Sequence, residues 1–155
     1  MRVCFVCLGN ICRSPTAEAV MRHRLAEAGL SGEVEVESAG TGAWHVGHPP
    51  DGRATVAARA RGIVMDGRAR QFGPGDFARF DLVLAMDHEN ADHLRRIAPA
   101  RHESDKVRLL REFDPASAGG DLAVPDPYYG GDDGFATVFE QVDAACLGLI
   151  DHLRR

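Results

Sequence analysis

The sequence predicts a single α/β domain, a central parallel sheet of about four strands with helices on both faces and a functional loop after the first strand. Three observations predict it. Short apolar, β-branched runs alternate with helical repeats, the order that a parallel sheet with crossover helices produces. The intervening stretches carry the glycine and proline of turns. The chain has 155 residues, 45% of them hydrophobic, which suits a single core spanning residues 1–155. No internal repeat or linker divides it.

The elements follow in order. Arg2 to Val6 is a continuous apolar run and reads as a buried strand. After Pro15, Ala17, Val20, Met21, Leu25 and Ala28 recur at helical spacing, and Gly29 stops the helix. "EVEVES" alternates like a strand, and "SAGTGAWHVGHPPDG" is a loop rich in glycine and proline. Asp51 caps a helix reaching about Arg61. "FDLVLAM" is a buried strand, Asp87 caps a helix through Leu94 and Ile97, and "KVRLL" is another strand. Arg111 to Asp133 has turn chemistry throughout. From Phe135, the positions Val138, Phe139, Val142, Cys146, Leu149, Ile150 and Leu153 mark an amphipathic helix.

Composition removes several function classes. A net charge of −5 speaks against a nucleic-acid partner, which needs a basic face. No apolar run approaches the ~20 residues of a membrane span, and no signal-peptide pattern opens the chain, so the expected location is cytoplasmic, with no membrane partner. Cys4, Cys7 and Cys12 crowd together while Cys146 stands far away. That is no secreted disulfide framework, and it points to thiol chemistry. Cys4 and Cys7 spell C-x-x-C, but on a strand they face opposite sides. "HENADH" spaces its histidines one residue too far for a metal-binding helix face.

The chemistry concentrates in "VCLGNICRSPTAEAV". Cys7 falls at the carboxyl end of the first strand, the functional edge of an open parallel sheet. Leu8, Gly9, Asn10, Ile11 and Cys12 then lead to a helix N-terminus, whose free amides attract anions. Gly9 and Asn10 tolerate positive φ, as a loop with inward-pointing amides requires. Arg13 adds a planar fork for two phosphate oxygens. The same positive field stabilises negative charge on the Cys7 sulfur, and Ser14 can donate to it. A phosphate cradle floored by a thiolate suits phosphoryl transfer to sulfur. A leaving oxygen then needs a proton, and "VPDPYYGGDDG" supplies Asp126 in a stiff loop.

Taken together, the sequence resembles the low-molecular-weight protein tyrosine phosphatases along its whole length. "VCLGNICRSPTAEAV", "SAGTGAWHVGHPPD", "FDLVLAMD" and "DPYYG" match the family's four ordered motifs. The resemblance implies that Cys7 is the nucleophile of a phosphocysteine intermediate. It implies that Arg13 binds the phosphoryl oxygens and that Asp126 is the general acid and base. It also implies that Asn10 and Ser38 fix the loop and that Trp44, Tyr128 and Tyr129 wall the ring of a phosphotyrosine. Cys12 is similar to a loop cysteine that pairs reversibly with the nucleophile, so Cys7 and Cys12 form the expected redox pair. No metal or organic cofactor is implied. The implied partners are phosphotyrosine-containing proteins, with inorganic phosphate and other oxyanions as product-like ligands.

Protein-arginine phosphatases resemble this loop but carry a hydroxyl residue at the position of Ile11 and phenylalanine at that of Tyr128, so both residues favour phosphotyrosine. Gly67 departs from the family, which often has a histidine there that joins the hydrogen bonds around the loop asparagine. A shorter or water-filled network is expected. An arsenate reductase on the same fold relays oxidation through cysteines that are missing between Cys12 and Cys146. A phosphate-binding module without turnover would have lost Cys7 or Asp126.

Overall fold

The computed structural model describes residues 1–128 and 130–155. Its sheet is built on β1 (Arg2–Cys7), flanked by β2 (Glu35–Gly40) on one side and by β3 (Leu82–Ala85) on the other, with β4 (Val107–Leu109) outside β3. All three pairings are parallel, and the register sets Cys7 beside Gly40 and Val6 beside Ala85. The four-strand expectation holds. The chain runs from β1 outward to β2, then crosses back past β1 to β3. That reversal opens a crevice at the carboxyl ends of β1 and β3, where open α/β sheets bind ligands.

Alternation along β1 divides two apolar layers. Val3, Phe5 and Cys7 face the layer that holds α1 (Arg13–Glu27) and α5 (Asp132–Leu153). Cys4 and Val6 face the layer that holds Phe72, Phe77, Phe80 and the apolar side of α3 (His88–Ile97). Cys4 and Cys7 therefore lie on opposite sides of the sheet, as their odd spacing requires. Burying side chains such as Met21, Leu25 and Leu149 between the helices and the sheet contributes about 1.5–3 kcal/mol each relative to exposure.

α1 ends as its sequence indicates. Gly29 has φ of 72°, and the Leu30 N–H donates to the Leu25 carbonyl at 2.8 Å, the bond of a Schellman cap. α2 (Gly52–Arg59) is capped by Asp51, whose carboxylate accepts from the Arg53 N–H. Asp87 caps α3 by accepting from the Asn90 N–H at 2.8 Å.

Some boundaries move. β2 begins two residues later than "EVEVES" and continues to Gly40, so Ser38 belongs to a strand instead of opening a loop. β2 runs on because its pairing with β1 extends through Ala39 and Gly40, and propensity alone does not register that partner. Short 3₁₀ turns occur at Pro74–Arg79, Leu110–Phe113 and Pro115–Ser117, and a single helical turn, α4, covers Arg101–Ser104. Among the described residues, no helix is long and apolar enough to cross a membrane.

Candidate active site

Cys7 closes β1, and the loop after it is fastened from several sides. The Thr41 N–H donates to the Cys7 carbonyl at 2.8 Å, Gly42 N–H to Leu8 at 2.9 Å, and Asp51 N–H to Ile11 at 2.8 Å. A side chain at Gly40 would place its Cβ 2.8 Å from the Leu8 carbonyl oxygen, so only glycine lets β2 support the loop so closely. Asn10 takes the left-handed conformation, with φ of 56°. Gly9 does not. Its lack of a side chain serves a different end, because a Cβ there would meet the His45 ring at 2.9 Å.

This geometry surrounds the sulfur with donors. The Asn10 N–H points to Cys7 Sγ at 3.3 Å, and Ser14 Oγ lies 3.0 Å from it. Asn10 Nδ2 donates to Ser14 Oγ at 2.8 Å and to Ser38 Oγ at 3.0 Å, while its Oδ1 accepts from the Arg70 N–H at 3.0 Å. Ser38 Oγ in turn donates to Glu18 Oε1 at 2.6 Å, and Arg22 pairs with the same carboxylate. The network thus closes on Glu18 without a histidine at Gly67. A cavity of about 230 Å³, lined in part by Asn10, Glu18, Ser38 and Gly67, remains beside it.

Arg13 is only 2% exposed. Its Nη1 donates to Asp87 Oδ2 at 2.6 Å and to the Val124 carbonyl at 3.0 Å. Its Nη2 stands 3.6 Å from Asp126 Oδ2. Burial works against the guanidinium charge, but Cys7, Asp87 and Asp126 outweigh it and hold the group firmly protonated. Asp87 sits just past the end of β3, so this ion pair spans the crevice between β1 and β3.

Asp126 accepts from the Tyr128 N–H at 3.1 Å, a turn bond that orients the carboxylate. The loop is bolted to α2 by Arg53, which pairs with Asp51, donates to the Tyr128 carbonyl at 3.0 Å and lies over the Phe135 ring at 4.6 Å. Cys7, Leu8, Gly9, Ile11, Cys12, Arg13, Trp44, His45, Asp126 and Tyr128 line one cavity of about 440 Å³. Trp44 is 72% exposed. Its ring lies so close against Gly42 that a Cβ there would stand 1.9 Å from the indole, so a bare backbone seats an exposed aromatic wall.

The expected loop, the arginine, the acid and two aromatic residues therefore converge. Tyr129 lies outside the described residues. Cys12 is a free, buried thiol on the same cavity. Burial and the nearby Asp51 push it up to about 12, so it stays a thiol at neutral pH. Cys4 and Cys146 are also free and buried, and burial pushes both thiols well above their ordinary value.

A sequence model of the low molecular weight phosphotyrosine protein phosphatases matches residues 2–155. The chain belongs to that family. A low molecular weight protein-tyrosine-phosphatase of Streptomyces coelicolor is 55% identical over 153 residues, covering 99% of this chain and 93% of that protein. The crystal structure of an Entamoeba histolytica protein tyrosine phosphatase superposes with a TM-score of 0.94 at 38% identity, covering 99% and 97% of the two chains. A Drosophila arginine phosphatase superposes with a TM-score of 0.92 at 31% identity, covering 100% and 99%. The fold accommodates both activities, so side chains in the cavity must separate them.

Three site residues carry roles that sequence reasoning missed. Asp87 was legible as a helix cap, and its place at the end of a central strand is the signal that it also faces the crevice. Glu18 and Arg53 act through contacts with residues 20 and 75 positions away, and no local pattern announces them.

Proposed function

We propose that this family member hydrolyses phosphotyrosine monoesters in proteins through a phosphocysteine intermediate. The observation that carries the reading is the convergence of Cys7, Arg13 and Asp126 on one cavity with an aromatic rim. The Cys7 thiolate attacks phosphorus in line with the phenolic oxygen. As the sulfur–phosphorus bond forms, the phosphorus–oxygen bond breaks, and the Asp126 carboxyl passes its proton to the leaving phenolate. Water then attacks phosphorus, gives a proton to the Asp126 carboxylate and displaces the sulfur, releasing orthophosphate.

The loop amides and Arg13 hold the phosphoryl oxygens. Their fixed geometry suits the spread-out charge of the transition state better than that of the substrate. Asp87 and the Val124 carbonyl keep the Arg13 fork aimed before substrate arrives. Ile11 offers the substrate an apolar side chain and Tyr128 a ring, surfaces that suit a phenyl group better than a hydrogen-bonding guanidinium. The arsenate relay lacks its cysteines here too, since Cys146 lies buried in α5 with its sulfur 3.9 Å from the Ala17 carbonyl oxygen. Three cysteines crowded around one loop suit thiol chemistry in a reducing compartment, and we take the cytoplasm as the place of action.

The deciding experiment is hydrolysis of p-nitrophenyl phosphate in EDTA by wild type and Cys7→Ser, followed by phosphotyrosine and phosphoarginine peptides. Release by wild type alone, with phosphotyrosine preferred, is expected. Equal release by Cys7→Ser would overturn the thiolate mechanism, and preference for phosphoarginine would overturn the substrate.

A further inference from the structure

A second cavity, of about 400 Å³, adjoins the first and shares Leu8, Arg13 and Asp126 with it. Its far wall is α3, which lines it with the buried Asn90 and the exposed Glu89, Asp92 and Arg96. Asn90 lines this cavity at only 4% exposure, and its side-chain amide makes no hydrogen bond among the described residues. A buried amide left unpaired is costly, and because the Oδ1 atom itself is shielded, the Nδ2 donor is the part of this side chain left for a ligand in the cavity. Nothing in the reaction proposed above uses it.

The charges around Asn90 say what kind of partner fits. Glu89, Asp92 and Arg96 are all exposed, and none has an ion-pair partner among the described residues. Asp87, on the same cavity, is committed to Arg13. Two uncommitted carboxylates thus face one guanidinium, and Asp126 adds acidic character at the shared border. A phosphotyrosine ring in the first cavity brings its own main chain to the mouth. One or two flanking residues, at about 3.3–3.6 Å each, span the border marked by Leu8.

Resting on the phosphotyrosine reading, we propose that this cavity is a substrate subsite for the polypeptide beside the phosphorylated tyrosine. Asn90 hydrogen-bonds a peptide group there, and Glu89 with Asp92 selects a cationic side chain.

The test compares two phosphotyrosine peptides that differ only in arginine or glutamate at the two positions on either side of the tyrosine. p-Nitrophenyl phosphate serves as the reference substrate in each preparation. Wild type is expected to favour the arginine peptide in kcat/KM by roughly threefold to tenfold, the range of one or two exposed charge pairs. Glu89→Lys/Asp92→Lys is expected to erase or invert that ratio. Asn90→Leu is expected to raise KM for both peptides relative to the reference, with kcat changing less.

Glu33→Lys/Glu140→Lys makes the same change in net charge far from the site, and it should leave the ratio in place. Equal rates for the two peptides in wild type, a preference for glutamate, or an equal shift with the distant pair would each overturn the subsite. Absence of Cys7-dependent hydrolysis of the reference substrate would instead strike the phosphatase reading itself.

Discussion

Asp126 leaves 41% of its side chain in solvent while its carboxylate stands 3.6 Å from the buried Arg13 guanidinium. A group so placed touches solvent and borders the same cavity as Cys7 and Arg13. Asp126→Asn keeps the shape and removes the proton. We expect kcat to fall by about 10²–10⁴ on phenyl phosphate and by much less on p-nitrophenyl phosphate, whose leaving group needs little protonation. Steady-state rates across phenols of graded acidity check this, and an equal loss across the series would assign Asp126 to binding instead. The nucleophile, the arginine and the acid were legible because each belongs to a short local motif. Glu18 was not, since its hydrogen bond to Ser38 exists only once β2 has paired beside α1.

At the scale of elements, α5 packs against the 3₁₀ turn at Leu110–Phe113 so closely that a Cβ on Gly148 would stand 1.7 Å from the Phe113 carbonyl oxygen. Alanine would favour the helix by roughly 0.5–1 kcal/mol, but backbone would have to move to admit it. Gly148→Ala is therefore expected to cost a net 1 kcal/mol or so, within the usual range of about 1–3 kcal/mol for overpacking. A urea midpoint at or above that of wild type would remove this contact as a constraint.

The cap of α2 makes a prediction about pH. Burial raises Asp51, but hydrogen bonds from Arg53 and the helix amides outweigh it and hold the carboxyl below its ordinary range. A folded-state value below the unfolded one gives stabilisation that is complete above about pH 4 and lost as pH falls through the folded value. The urea midpoint of wild type should exceed that of Asp51→Asn at pH 7, with the gap closing below about pH 4. A gap unchanged to about pH 2.5 would show that the charge is not its cause. Both helix caps could be read in advance from Asp51 and Asp87, because capping is local. The end of β2 could not, because its last residues pair only through β1.

Across the whole molecule, the phosphate loop is where separate parts of the fold meet. β1 supplies Cys7, β2 supports the loop through Ser38 and Gly40, the end of β3 holds Arg13 through Asp87, and the loop itself is the entrance to α1. The sequence order of strands and helices already implied a crevice somewhere along this edge. Which elements share the load there depends on the strand order β2-β1-β3-β4, a long-range property that periodicity does not encode. An oxyanion bound in the loop contacts all these parts only when they are assembled, so it binds the folded state and not the unfolded chain. At a hundred times its dissociation constant, such a ligand stabilises the protein by about 2.7 kcal/mol. For a chain of this size that amounts to a rise in Tm of roughly 5–10 °C. Inorganic phosphate or vanadate should produce this rise in a thermal melt of wild type. Arg13→Lys, which replaces the fork with a point charge and loses the Asp87 geometry, should largely lose it. A shift of the same size in Arg13→Lys would mean that the anion stabilises the fold elsewhere and that the crevice is not where the elements are joined by ligand.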